Sequence, residues 1–184
     1  MNQELTKIDP RIRRTRQMLF QAFGALLVEK TFDSITIQDI ADRSTLNRAT
    51  FYDHFTDKFA LLEAMMEERF SALIAARMER GVTSCQEALR QIILAACDFL
   101  DEVNSSCQRQ QRQFEPFVES RMKSVMRQTL LPALKAHGVP NAELKATMVT
   151  WAIAGAALGW SRDKKTSAEA FADAVLPMAH APLE

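Results

Sequence analysis

Apolar residues recur along the chain at the three- and four-residue spacing that places side chains on one face of an α-helix. In the first such segment, Ile12, Leu19 and Phe23 share a stripe. Asp9 followed by Pro10 marks its start, since aspartate caps helices and proline suits the first helical position. Similar segments continue to the end of the chain, with no convincing strand between them. The pattern predicts an all-α fold of about nine helices.

Polar residues that cap helices divide this pattern into short and long elements. Thr36 with Asp39 resembles a capping box and predicts a short helix to about residue 43. Asn47 can cap a second short helix, and Asp57 a long one. A last capping box is predicted at Thr166. The helices of the second half are predicted at residues 84–103, 116–137, 141–161 and 166–179.

Composition agrees with the helical pattern. The 184 residues include only five glycines and six prolines, and 47% are hydrophobic, enough for a sizeable core. The formal net charge is zero, so the charge of the whole chain does not indicate a nucleic-acid partner. Residues 1–16 are locally basic, however. This arm could contact phosphate, although a solubilising N-terminus is the simpler interpretation.

Two short helices joined by about four residues, after one long helix, are typical of a helix-turn-helix motif. The inner face of the first short helix would carry small and aliphatic residues that let the second helix approach closely. Aromatic and aliphatic residues of the second helix would face them. The predicted buried positions are Ile37, Ile40, Ala41, Leu46, Phe51 and Phe55.

A helical wheel over residues 48–55 separates the remaining side chains. Ala49, Thr50 and Asp53 lie opposite the buried aromatic residues and would face a DNA major groove. Arg48 lies at the helix start, where recognition helices commonly contact base edges. Tyr52 and His54 would flank this face, and Tyr52 is the chain's single tyrosine. A phenol or imidazole in such a position can hydrogen-bond to phosphate.

The segment "TIQDIADRSTLNRATFYDHFTDKFALL", residues 36–62, resembles the DNA-binding signature of the TetR family of bacterial transcriptional regulators. The similarity rests on many fixed offsets within a short segment. The second half resembles the family only in its helical architecture. The matching positions are Thr36, Ile40, Ala41, Thr50, Phe51, Tyr52, His54, Phe55, Lys58, Leu61 and Leu62.

The resemblance implies a helix-turn-helix domain in residues 1–57 and an effector-binding and dimerisation domain in residues 58–184. Its partners would be a double-stranded operator, a second copy of the chain and a small-molecule effector. Within the first domain it implies base contacts near the start of the recognition helix and phosphate contacts around it. The implied DNA-binding residues are Thr36, Arg48, Ala49, Thr50, Tyr52, His54 and Lys58.

Two features depart from the family pattern. The family usually has Ala-Gly in the turn, where this chain has Ser44 and Thr45. A β-branched residue disfavours the positive φ that glycine adopts easily, so the turn is expected to be altered or strained. Asp53 could accept a hydrogen bond from cytosine, but it would also repel phosphate. A solvent-facing charge is an equally good interpretation of Asp53.

Small residues recur on one face of the segment 145–162, and tryptophans stand near both ends of that face. Small residues allow two helices to approach closely, and a palindromic operator requires two recognition helices. We therefore expect a homodimer that uses the last two helices, although packing within one chain would also explain the small residues. The predicted interface comprises Trp151, Ala152, Gly155, Ala156, Gly159 and Trp160.

The other helices of the second half would enclose an effector pocket if the family pattern holds. Their aromatic and sulfur-containing side chains favour an apolar or aromatic ligand, although each could equally be ordinary core. The candidates are Phe70, Ile93, Cys97, Phe99, Phe114, Phe117, Met122, Met126 and Trp151.

Other classes of function find little support. No metal-ligand spacing, catalytic triad or glycine-rich phosphate loop is evident, so we expect neither an enzyme nor a cofactor. No secretory signal is present, and the longest uncharged run, residues 146–161, is too short to span a membrane. Three widely spaced cysteines fit reduced thiols in the cytoplasm.

Two alternatives to a ligand-responsive repressor remain open. The same scaffold could bind DNA without an effector. A thiol could also sense oxidation. Cys107, which has Arg109 and Arg112 as neighbours, is a better candidate for such a thiol than Cys97.

Overall fold

The computed structural model of the protein describes residues 9–79, 81–106 and 111–183. Within these ranges all regular secondary structure is helical, which confirms the all-α prediction. Short 3-10 helices lie at Phe32–Ser34 and Ala181–Leu183. The eight α-helices are α1 Pro10–Glu29, α2 Ile37–Ser44, α3 Arg48–Tyr52, α4 Lys58–Met78, α5 Cys85–Ser106, α6 Gln111–Ala136, α7 Ala142–Asp163 and α8 Ala168–His180.

Some sequence predictions fall outside the described residues. These are the first eight residues of the basic arm, and Cys107 with its neighbour Arg109. Among the helices that are described, none is long and apolar enough to cross a membrane.

The chain packs as two compact units, Met1–Met65 and Met66–Glu184. The first unit contains α1, α2, α3 and the start of α4. The second contains the rest of α4 and the helices α5 to α8. The domain boundary predicted after residue 57 lies immediately before α4, and it stays a prediction.

Aromatic side chains form much of the core of the first unit. Phe23 and Phe32 are fully buried, with ring centroids 6.2 Å apart in an edge-to-face arrangement. Phe32 in turn lies 4.9 Å from the ring of Phe59. The 3-10 helix between α1 and α2 is thereby packed into the core through Phe32. These contacts connect α1, the α1–α2 connection and the first turn of α4.

The second unit is built around α5, which is buried over most of its length. It packs against α7 and α8, and α6 packs against α7. Arg90 of α5 donates to Asp173 of α8 across 2.8 Å. The buried face of α7 is rich in alanine, including Ala146, Ala154 and Ala157. Small buried residues on α7 allow its neighbours to approach closely.

Several helix boundaries differ from the sequence predictions. The recognition helix α3 ends at Tyr52, before Phe55. Helix α6 begins at Gln111, because Pro116 lies inside the helix and does not mark its start. Helix α8 is capped by Ser167, whose hydroxyl accepts from the Ala170 N–H at 3.2 Å. The Thr166 carbonyl instead accepts from the indole N–H of Trp160, at 3.0 Å.

The turn between α2 and α3 is strained, which is one of the two outcomes that the sequence left open. Thr45 adopts φ 58° and ψ 28°, the left-handed region, immediately after α2. Its N–H donates to the Asp42 carbonyl and the Leu46 N–H donates to the Ala41 carbonyl, the bonding pattern that normally accommodates glycine. The Thr45 hydroxyl donates to the Ser44 carbonyl at 2.7 Å. A β-branched residue therefore occupies a conformation that costs roughly 1–2 kcal/mol.

Thr45→Gly is expected to stabilise the protein by about 1 kcal/mol, because glycine adopts the left-handed conformation without steric cost. Thr45→Ala should give a smaller gain, since it removes only the β-branch. Urea denaturation followed by circular dichroism measures both changes. A lower free energy of unfolding in Thr45→Gly than in the wild type would show that the turn is not strained.

Candidate nucleic-acid interface

Helix α3 is held in place by one cap and two buried rings. The Asn47 side-chain oxygen accepts from the Thr50 N–H at 2.7 Å and from the Thr50 hydroxyl at 3.1 Å. Phe51 is fully buried, and Phe55, just beyond the helix, is 5% exposed. Arg16 of α1 lies over the Phe55 ring, 4.7 Å from its centroid. A helix of five residues is not stable alone, so these contacts determine its position.

The opposite side of α3 is open. Arg48, Ala49 and Asp53 are exposed, and Thr50 is half-buried through its bond to Asn47. The Arg48 guanidinium extends from the first residue of the helix. Asp53 is the C-cap, and its N–H donates to the Ala49 carbonyl at 3.0 Å. The outer side of α3 thus carries an arginine, an alanine and a threonine at three consecutive positions.

Tyr52 and His54 lie beside this surface. Tyr52 is 49% exposed although its ring packs edge-on against Phe51, with centroids 5.6 Å apart. Such packing fixes the ring and leaves the phenol accessible. His54 is half-buried, with its ring 6.4 Å from Phe55. Both side chains therefore have restricted positions at the flank of α3.

The start of α2 is closed by a reciprocal cap. Thr36 accepts from the Asp39 N–H at 3.1 Å, and its own N–H donates to the Asp39 carboxylate at 2.8 Å. The Thr36 hydroxyl also donates to that carboxylate, at 2.7 Å. Lys30 donates to the other carboxylate oxygen, at 2.8 Å. The hydrogen bond from Lys30, followed by those from Thr36, holds the pKa of Asp39 well below its usual range.

The Thr36 hydroxyl is therefore engaged on both its donor and acceptor sides. A phosphate contact by Thr36, which the resemblance implies, would have to share or replace the bond to Asp39. The exposed backbone at the start of α2 offers phosphate N–H donors in addition.

A second ion pair joins α2 to α1. Arg43 donates to both oxygens of Glu29, at 2.9 and 2.6 Å. This bidentate pair lowers the pKa of Glu29 and raises that of Arg43. The two residues are fourteen positions apart, so no local motif signalled the pairing. Both side chains are accessible, and the pair fixes the orientation of α2 more than it adds stability.

The Lys58 ammonium group is placed differently from the expectation of a phosphate contact. It donates to three backbone carbonyls of the α1–α2 connection, at distances between 2.8 and 3.2 Å. The side chain also lies over the Phe32 ring, with the nitrogen 4.7 Å from the centroid. Sequence reasoning missed these contacts because they join residues more than twenty positions apart.

The residues of the predicted dimer interface share one side of α7. Trp151, Ala152, Gly155 and Gly159 are exposed in the single chain, while Ala156 is half-buried. A Cβ added at Gly155 or Gly159 would meet no atom within 4 Å. Packing within the chain therefore does not explain either glycine. On the same helix Leu144 and Met148 are also exposed, at 61% and 54%.

Trp160 is less accessible than the rest of this face. Its ring stacks on Phe171 of α8, with centroids 5.5 Å apart, and its N–H donates to the Thr166 carbonyl. It therefore joins α7 to α8.

Most of the predicted pocket residues are buried in the second unit. Phe117 is only partly buried, and Trp151 is 60% exposed with the Lys123 ammonium 3.5 Å from its ring centroid. Trp151 thus lies on the surface with the glycine face, outside the core. The residues that are buried are Phe70, Ile93, Cys97, Phe99, Phe114, Met122 and Met126.

A small cavity lies between α5, α6 and α7. Its volume is about 20 Å³, room for a single water molecule. Leu100, Val118 and Leu158 form its apolar walls, and the ion pair between Glu115 and Arg162 lies at its polar side. The sequence prediction did not include these residues, because a polar pair 47 positions apart carries no local signal.

Cys97 is buried, and burial together with nearby Asp101 raises the pKa of its thiol to about 12. A thiol that stays protonated is a poor nucleophile, so Cys97 is unsuited to sensing oxidation. Cys85 is exposed. Within the described ranges, no group of three or more histidine, cysteine, aspartate or glutamate residues could hold a metal ion.

Sequence comparison identifies the helix-turn-helix segment. Residues 22–65 match the model of the family "Bacterial regulatory proteins, tetR family". The HTH-type transcriptional regulator YxbF of Bacillus subtilis is 44% identical over 69 residues, 37% of this chain and 18% of YxbF. The activator FasR of Mycolicibacterium smegmatis is 27% identical over 94 residues, 50% of this chain and 42% of FasR. The matches therefore span less than half the length of either relative.

Solved structures share the fold over nearly the whole chain. The TetR family repressor AlkX from Dietzia sp., implicated in n-alkane biodegradation, superposes with a TM-score of 0.60. The match covers 92% of this chain and 98% of AlkX at 20% identity. FadR from Bacillus subtilis, in complex with stearoyl-CoA, gives 0.55 over 91% of this chain and 99% of FadR at 16% identity. At these identities the likeness concerns the fold alone.

The family match thus falls on the part of the chain that contains the capped α2, the strained turn and α3. The architecture of the remaining helices agrees with it. The helix-turn-helix segment, residues 22–65, therefore belongs to the TetR family of bacterial regulatory proteins, and the helices beyond it share the fold of TetR-family structures.

Proposed function

We propose that this protein is a ligand-responsive transcriptional regulator that binds a palindromic operator as a homodimer and is released by a small apolar or aromatic effector. One observation carries the proposal. Helix α3, inside the segment that matches the family, presents exposed Arg48 and Ala49 and half-buried Thr50 on the side opposite its buried rings. Such a surface suits readout of base edges in a major groove.

Each side chain of the interface has a distinct role in this proposal. Arg48 can donate two hydrogen bonds to guanine, and the Ala49 methyl can contact the methyl group of thymine. The Thr50 hydroxyl is held by Asn47 and can still accept a hydrogen bond. Tyr52 and His54 donate to phosphates on either side, which sets the register of the helix on the duplex.

The start of α2 supplies a further phosphate contact. Thr36 caps that helix and is exposed, and its hydroxyl would exchange its bond to Asp39 for one to a phosphate oxygen. The neighbouring Asp39 carboxylate is neutralised by Lys30, which reduces its repulsion of phosphate. Asp53 carries no such partner in the described structure and is proposed as a discriminating residue only where cytosine faces it.

We propose that the α7 face forms the dimer interface together with α8. Its exposed apolar residues and two unhindered glycines allow a partner helix to approach closely. The residues proposed to contact the partner are Trp151, Ala152, Gly155, Ala156, Gly159 and Trp160, and exposed Met178 of α8 extends the patch. Sedimentation as a monomer at micromolar concentration would contradict this assembly.

We propose further that the effector binds among the helices of the second unit. Aromatic and methionine side chains there favour an apolar ligand, and FadR, which shares the fold, is described with stearoyl-CoA. The cavity between α5, α6 and α7 is too small for such a molecule, so binding at that place requires these helices to separate. An equilibrium between two packings of these helices would then couple the effector to the operator.

Repression is the proposed mode, since AlkX is described as a repressor, whereas FasR is described as an activator. A thiol switch at Cys97 is less well supported, because burial raises the pKa of that thiol and keeps it protonated, whereas Cys107 lies outside the described residues. We expect no enzymatic activity from this chain. Binding without any effector is the remaining alternative, and a ligand screen distinguishes it.

Arg48→Ala is expected to relax specificity at one operator position, at a cost of about 1–3 kcal/mol there. The test measures affinity for a complete set of point variants of an operator selected from a randomised pool. Arg127→Ala, which removes an exposed arginine of α6, is the matched control and should leave the profile unchanged. Full retention of base preference in Arg48→Ala would show that Arg48 does not read a base.

A thermal-shift screen with small apolar and aromatic compounds tests the effector. A ligand at 100 times its dissociation constant should stabilise the protein by about 2.7 kcal/mol and raise the melting temperature. The same compound should weaken operator affinity. A compound that raises the melting temperature without affecting operator binding would support effector-independent regulation.

A further inference from the structure

We propose that Lys58 is a positioning residue, which fixes the start of α2 by binding the backbone before it and does not neutralise a DNA phosphate. The inference rests on the proposed function, since what Lys58 positions is the DNA-binding surface. It assigns to Lys58 a role other than the phosphate contact that its place in the motif implies.

The hydrogen bonds of the ammonium group carry the argument. Lys58 Nζ donates to the carbonyl oxygens of Phe32, Asp33 and Ile35, at 2.8, 3.2 and 2.9 Å. A lysine ammonium has three donors and no acceptor. Three carbonyls therefore use all of its hydrogen-bonding capacity. A phosphate oxygen could bind only by displacing one of them.

The three carbonyls belong to the segment that leads into α2. Phe32 and Asp33 belong to the 3-10 helix that precedes α2, and Ile35 follows it. The Phe32 carbonyl also accepts from the Ile35 N–H at 3.2 Å, so the ammonium binds across a turn that this bond closes. The bonds to Phe32 and Ile35 are partly buried, so water replaces the ammonium poorly there.

The position of Lys58 on its own helix supports the same conclusion. Lys58 is the first residue of α4, where the helix dipole disfavours a positive charge. The three carbonyls and the Phe32 ring, 4.7 Å away, compensate for this. The positive charge of Lys58 therefore stabilises the connection between α1 and α2.

The consequence for DNA binding follows from the chain order. Ile35 is buried and directly precedes Thr36, the N-cap of α2. Holding the Ile35 carbonyl fixes the direction in which the chain enters α2. Helix α2 packs against α3, so Lys58 sets the position of the recognition helix through two intermediate elements.

The test compares Lys58→Met, Lys58→Arg and a control, Leu62→Val, in the full-length chain. Leu62 is buried one turn along α4, so its truncation lowers stability without removing a polar contact of the motif. The melting temperature is measured without DNA. Affinity and its salt dependence are measured on a duplex selected by the wild type from a randomised pool, at a temperature where every variant is folded.

We expect Lys58→Met to lower the melting temperature of the free protein by about 5 °C or more. Its operator affinity should fall about tenfold, with an unchanged slope of log affinity against log salt. Lys58→Arg should show both losses despite its charge, because a planar guanidinium cannot direct three donors from one nitrogen. Leu62→Val should melt lower and keep its affinity.

Two results would overturn the proposal. The first would indicate a phosphate contact. In that case Lys58→Met keeps the melting temperature of the wild type, and its slope of log affinity against log salt is shallower by about 0.9. Lys58→Arg would then keep full affinity. The second is a Lys58→Met protein that keeps its affinity as Leu62→Val does, which indicates stability alone. Failure of the wild type to select any duplex would contradict the proposed function. The melting temperatures of the free variants would still show whether Lys58 stabilises the protein through its carbonyl contacts.

Discussion

The arrangement of the first unit depends on the inability of a five-residue helix to hold itself in place. Helix α3 has one internal turn, and cooperative helix formation requires more than that. Its position is set by the Asn47 cap on one side and by the burial of Phe51 and Phe55 on the other. The residues that face the proposed DNA are therefore positioned by residues that never contact it. The same holds for α2, which depends on Arg43 with Glu29 and on Lys58.

Local signals in the sequence were sufficient for much of this arrangement. Caps act between residues two or three positions apart, and Asp9, Thr36, Asn47 and Asp57 all make the predicted side-chain bonds. The buried and exposed sides of α3 follow from helical periodicity for the same reason. Helix α3 nevertheless ends at Tyr52, three residues before Phe55. Helix propensity and residue spacing predict which face of a helix is buried better than they predict where the helix ends.

Contacts between distant residues were beyond such reasoning. The ammonium of Lys58 and the carbonyls of the α1–α2 connection are far apart in sequence, and carbonyls are common to all residues. The paired Arg162 and Glu115 illustrate the same limit. In the second unit, aromatic and methionine residues were correctly expected to be buried in most cases. Composition could not distinguish a pocket wall from core, nor place Trp151 on the surface.

Under the proposed function, the two units have different structural requirements. The first needs a rigid surface, and its caps, ion pairs and even a strained Thr45 contribute to one fixed geometry. In that proposal the second unit needs helices that can separate around a ligand, and the cavity of about 20 Å³ between α5, α6 and α7 is consistent with the proposed closed state. The glycine face of α7 would join two such chains and set the distance between their recognition helices.

Selection of duplexes from a randomised pool by the full-length protein tests the central claim most directly. If two copies present α3 to one face of a duplex, the selected sequences should converge on an inverted repeat. The centres of its half-sites should lie about 34–36 Å apart, or a multiple of one helical turn. Enrichment of no sequence, or of a single half-site without symmetry, would contradict a dimeric operator-binding regulator.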